Sequence, residues 1–122
     1  MTELPTPSPL GLPRGAVIAV PADGLTVYRL VRSEPPTLRD FQPPSPERAR
    51  RLGWPELLRA GLSHFLRAEQ AERVRRSPVS LVVQVDLAAG AGIHVARTGR
   101  TPGHVTVWAR PEALLEAARV VV

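Results

Sequence analysis

Cysteine is absent from the 122 residues, and so is lysine. Without thiols the chain can build neither a disulfide framework nor a thiolate metal site. Only five residues are aromatic, Tyr28, Phe41, Trp54, Phe65 and Trp108, so the core has to come mainly from Val, Leu and Ala. No run approaches the roughly 20 apolar residues of a membrane-spanning helix, and no membrane partner is expected. Met1 to Pro13 holds four prolines, one acid and no continuous apolar run, which is not the pattern of a secretory signal. The expected compartment is the cytoplasm. The dinucleotide, P-loop, zincin and nucleophile-elbow signatures are all missing. Three scattered histidines, His64, His94 and His104, with three aspartates make no ligand cluster, so no metal is expected.

Every one of the 16 basic residues is Arg, and the net charge is +5. A GC-rich coding bias explains that choice, since Ala, Pro, Gly and Val are abundant too. The physical consequence is the same in either case. A guanidinium presents a planar fork of donors that grips phosphate or carboxylate in bidentate fashion. An anionic small molecule, a nucleotide or a nucleic acid is therefore a reasonable partner.

Hydrophobic residues make up 43% of the chain, enough for one modest core at this length. Residues 1–14, with prolines at 5, 7, 9 and 13, read as a flexible, disordered Pro-rich tail. Gly15 to Ala22 and Leu25 to Val31 are β-like runs joined by Asp23-Gly24, the signal of a hairpin. Leu25, Val27, Arg29 and Val31 alternate with Thr26, Tyr28 and Leu30, so this strand should be covered on both faces. Five prolines between residues 32 and 46 argue against a helix or central strand there. Ser45-Pro46-Glu47 and Pro111-Glu112 are helix starts. Periodicity of Trp54, Leu57, Leu58, Leu62, Phe65 and Leu66 predicts one amphipathic helix beginning near Pro55. Residues 79–87, 92–97 and 104–109 read as strands, and Arg119 to Val122 as another. The expected fold is α+β: a single compact domain over residues 15–122. It should hold a largely antiparallel sheet of about five to six strands with two to three helices.

Arg29 stands out as a charge in an apolar strand. It is either an edge or Asp86-paired residue, or a rigidly mounted anion ligand. The loop from Arg97 through Arg100 to His104 gathers two Arg, two hydroxyls, two Gly and a His. It is either an ordinary hairpin loop or an anion cradle. Arg67, Arg73, Arg75 and Arg76 read as a solvated helix face.

Tyr28-Arg29-Leu30-Val31-Arg32-Ser33, Pro35-Pro36-Thr37-Leu38, Asp40-Phe41, Gly61-Leu62-Ser63, Arg97-Thr98-Gly99 and Pro102-Gly103-His104 with Thr106 and Trp108 resemble a family of small uncharacterised bacterial proteins. More distantly, Tyr28-Arg29 and Gly61-Leu62-Ser63 resemble the ADP-ribosyltransferase superfamily, toxin-like members included. That likeness implies a short strand over residues 62–66 and a break between Gly61 and Arg67, with Ala68 to Arg75 helical. It also implies NAD or another nucleotide as ligand. Arg29 with Arg97 or Arg100 would hold phosphate, Ser63 would position a ribose, and Tyr28 or Trp108 would stack a ring. Where the superfamily has a late-strand acid, this sequence has His104 and Thr106; Glu112 stands at a helix start. The domain is then an active or degenerate nucleotide-binding protein. The alternative is a non-enzymatic Arg-rich module that binds nucleic acid or an acidic protein.

Overall fold

Leu25–Val31 needs cover on both faces, and in the computed structural model it occupies an inner position of an antiparallel sheet. The structure describes residues 16–43, 45–51, 61–75, 80–89, 93–99 and 101–121. The tail expected over residues 1–14, along with Arg76 and Arg100, lies outside them. Among the described residues there are seven strands: β1 (Val17–Ile18), β2 (Leu25–Val31), β3 (Leu62–Phe65), β4 (Leu81–Leu87), β5 (His94–Arg97), β6 (His104–Trp108) and β7 (Ala118–Val120). They form one sheet in the order β1-β5-β6-β3-β2-β4-β7, and every pairing is antiparallel. Three short helices accompany it: α1 (Pro46–Arg51), α2 (Ala68–Val74) and α3 (Pro111–Ala117). None of the described helices is long and apolar enough to cross a membrane.

The fold is α+β as expected, with a strand count above the expected five to six. The short edges β1 and β7 overlap the runs 15–22 and 119–122 that read as strands, and β3, in a segment that periodicity reads as helix, brings the total to seven. The Asp23-Gly24 turn forms, the Gly24 N–H donating to Pro21 O at 2.8 Å. It does not close a hairpin: β1 pairs with β5 at the far edge, and β2 pairs with β3 and β4.

A single helical turn, Leu38–Phe41, occupies the loop where five prolines argued against any helix. Its residues lie between two proline pairs and are themselves free of proline. Asp40 caps it, its carboxylate accepting from the Thr37 N–H (2.9 Å) and the Arg32 N–H (3.0 Å). Ser45 caps α1 as its sequence predicts, the hydroxyl accepting from the Arg48 N–H at 3.2 Å.

Both faces of the sheet are covered. On one, Val27, Val31, Leu62, Val83, Val85, Leu87, Val95, Val105 and Val107 pack with Phe41 and with Leu114 of α3. On the other, Phe65 and Val82 pack with Ala71 of α2, flanked by Tyr28 and Leu30. Residues 52–60, where periodicity starts its helix, lie outside the described residues; over Leu62–Phe65 the chain is strand β3, and a helix begins at Ala68. Leu62 and Phe65 are apolar at helical spacing because they serve opposite faces of a strand, one core each.

Candidate functional site at the β2–β3 seam

Strand β2 and strand β3 meet at one register pair, Tyr28↔Phe65. Beyond it the ladder stops, and the Arg29 side chain takes its place. Its Nε donates to Asp40 O at 2.9 Å, and its Nη1 donates to Ser63 O at 2.8 Å. The guanidinium also lies 5.9 Å from the centroid of the Phe41 ring. Arg29 is therefore paired with backbone carbonyls, while Asp86 bonds Thr26 and Gln84 instead. Burial lowers the Arg29 pKa to about 10, with the nearby charge of Asp40 acting against that shift. The side chain remains a cation at neutral pH. Among the described residues two of its five N–H donors are seen in hydrogen bonds.

On β3, Ser63 is exposed and His64 is fully buried, the alternation of a strand applied to adjacent residues. Ser63 sits opposite Thr106, and Phe65 opposite His104. His104 Nε2 lies 2.9 Å from Ser63 Oγ, and its Nδ1 lies 2.9 Å from Thr98 O and 3.1 Å from Thr98 Oγ1. A carbonyl can only accept, so Nδ1 carries the proton. In the neutral ring, Nε2 then accepts from the Ser63 hydroxyl. Thr98 Oγ1 is also 2.7 Å from Thr106 Oγ1, extending the chain of hydroxyls. The Phe65 ring meets the His104 ring edge-on at 5.3 Å and 82°, fixing its plane.

Two supports were visible only in three dimensions. Gly61, at the entry to β3, lies so close to Thr106 and the Trp108 indole that a Cβ there would overlap the Thr106 methyl. His64 donates from Nδ1 to Leu62 O at 3.0 Å, and its buried Nε2 has no partner among the described residues. Burial, reinforced by the Arg29 charge, pushes its pKa down to about 3, so it is neutral.

Tyr28, Ser63 and His104 thus share one face at the seam; Arg29 leaves β2 on the other face, beside Phe41, and reaches only the backbone carbonyl of Ser63. Tyr28 shares the face of Phe65 and His104 and is half-buried. Trp108 is fully buried, so its ring is not open to a stacking ligand. Arg97 pairs with Val105 in register, which puts its exposed side chain on the face opposite His104. It does not join His104 in one pocket, and Arg29 points to that same opposite face. Arg100 lies outside the described residues. The residues that sequence reasoning missed are Asp40, Phe65 and Thr98. Asp40 and Thr98 had one available signal each, the Thr37-x-x-Asp40 capping spacing and the hydroxyl beside Gly99.

Grooves elsewhere suit an anion less well. One of about 270 Å³ between the end of β4 and α3 is lined by Leu87, Ile93, Leu114 and Ala117, with Asp86 and Glu116 adding negative charge. Among the described residues no cluster of three or more His, Asp or Glu is placed to hold a metal. Compared with known proteins, the chain matches no family model, no curated protein and no solved structure.

Proposed function

We propose that this domain binds a nucleotide, with NAD as the leading candidate, over the seam between β2 and β3. One observation carries the reading: an exposed serine hydroxyl and a histidine 2.9 Å apart share one face with the half-buried Tyr28 ring. The Ser63 hydroxyl and the His104 imidazole suit a ribose or a phosphate oxygen, and Tyr28 offers a half-buried ring on the same face. An arginine on an early inner strand, followed by a Gly-Leu-Ser strand and then a helix, also supports an ADP-ribosyltransferase-like layout. No carboxylate joins Ser63 among the described residues, and His104 with Thr106 stands opposite it. A site of this kind holds a nucleotide without the acid that would stabilise an oxocarbenium ion.

Calorimetry with NAD, ADP-ribose and ADP tests the proposal. Binding that Ser63→Ala and His104→Ala weaken about tenfold or more supports it, since each variant removes a hydrogen bond to the ligand or its positioning group. Binding unchanged by both variants would move the ligand elsewhere.

A second reading has its own observation. Arg48, Arg50 and Arg51 are all exposed on α1, a face suited to a polyanion or an acidic protein. RNA binding that weakens steeply with salt, and that falls in an Arg48/Arg50/Arg51→Ala variant but not in Ser63→Ala, would favour an Arg-rich interaction module.

A further inference from the structure

Ser63 and His104 are spaced as a nucleophile and its base. A serine hydroxyl is a weak nucleophile until a neighbouring base takes its proton, and that base works best when a third group fixes its tautomer. All three elements are present here. Ser63 Oγ is 2.9 Å from His104 Nε2, on the exposed side of β3. The opposite ring nitrogen, Nδ1, donates to Thr98 O at 2.9 Å, which leaves the Nε2 lone pair facing the hydroxyl. The edge-on Phe65 ring holds the imidazole plane. A cross-strand Ser–His pair that only satisfied buried polar atoms would need no exposed hydroxyl.

We infer that Ser63 is a nucleophile served by His104 as general base, reactive toward activated esters, phosphorus esters among them. Arg29 anchors the Ser63 carbonyl from the opposite face of the sheet, and a phosphorus ester meets the hydroxyl on the exposed side of β3. In the first step Ser63 Oγ attacks phosphorus and a new O–P bond forms. The bond from phosphorus to the leaving oxygen breaks. The hydroxyl proton passes to His104 Nε2 and from there to the leaving oxygen. The Thr98 carbonyl steadies the transient imidazolium. In the second step water, deprotonated by His104, attacks the phosphoserine, and Ser63 recovers its proton. The inference shares the seam with the nucleotide reading but does not require a nucleotide.

The test uses diisopropyl fluorophosphate on the full chain, read by intact mass and peptide mapping. The expected result is one diisopropylphosphoryl group per chain, on Ser63, with fluoride released. Ser63→Ala should remove it, and His104→Gln should slow it by about 100-fold, the usual lower range for a general base. An unlabelled Ser63 in the wild type, or equal rates in wild type and a folded His104→Gln, overturns the inference. If His104→Gln does not fold, the same chain unfolded in urea is the comparison. Labelling of Ser63 confined to the native state supports the inference, and equal labelling in both states overturns it. Labelling without NAD, ADP-ribose or ADP binding removes the nucleotide reading alone. Nucleotide binding beside an inert Ser63 removes this inference alone.

Discussion

Along its β4 side, β2 makes seven register pairs, from Leu25↔Leu87 to Val31↔Leu81; along its β3 side it makes one, Tyr28↔Phe65. The two sides hold by different physics. Toward β4 the backbone ladder is complete and Val27, Val83 and Val85 exclude water around it. Toward β3 a guanidinium substitutes for the ladder by bonding two carbonyls, one on β3 and one on the turn at Asp40. The zipped side offers a ligand nothing, since its polar groups are spent on each other. The seam keeps a hydroxyl and an imidazole within reach of solvent.

That contrast can be broken most severely at Phe41, which is fully buried beneath the Arg29 guanidinium and against the core. Phe41→Ala should lower unfolding free energy in urea by about 3 to 5 kcal/mol. A loss under about 1 kcal/mol would show that the seam does not lean on this ring. Arg29→Met should cost about 2 to 3 kcal/mol, because two carbonyls lose their donor while side-chain volume is kept. Hydrogen exchange sharpens the point: amides of residues 62–65 should lose protection while those of 81–87 keep it. Equal losses on both sides would erase the distinction between them.

His64 carries the comparison into acid. Its folded pKa is about 3 against an ordinary 6.5, because burial and the Arg29 charge both disfavour the imidazolium. Between those values the unfolded chain binds a proton that the folded chain does not. Stability is therefore complete above about pH 6.5 and falls toward pH 3, by up to about 1.4 kcal/mol per pH unit. Asp40, held below its ordinary value, adds a loss in the same direction only in more acid solution. Its burial raises the pKa, but the N–H groups of Thr37 and Arg32 and the hydroxyls of Ser33 and Thr37 outweigh that. His64→Leu should flatten the slope between pH 4 and 6.5 in urea titrations, and an unchanged slope would assign it to another group. The smallest effect belongs to the surface: Arg67 and Glu69 are 3.9 Å apart and mostly exposed. Arg67→Ala should shift stability by no more than about 0.5 kcal/mol, and a larger change would mean that the residue does more than face solvent.

Much of this architecture is carried by local residues. Alternation in Leu25–Val31 predicts a strand covered on both faces, Ser45-Pro46 and Pro111-Glu112 start helices, and the runs at 81–87, 94–97 and 104–108 are strands. Those features are decided by side-chain period and capping chemistry within a few residues, so the chain alone determines them. Packing decided the rest. Whether Leu62 to Phe65 is helix or strand depends on two cores lying on opposite sides of it, which no local window contains. Val17–Ile18 joins the far edge because β2 already has partners on both sides. Arg29 finds carbonyls rather than Asp86, Arg97 faces away from His104, and Trp108 is shut in beside Gly61. Each outcome turns on which strand lies next to which and in what register. Only the closed sheet supplies that information, because backbone pairing and apolar burial are satisfied together and over distances of 30 or more residues.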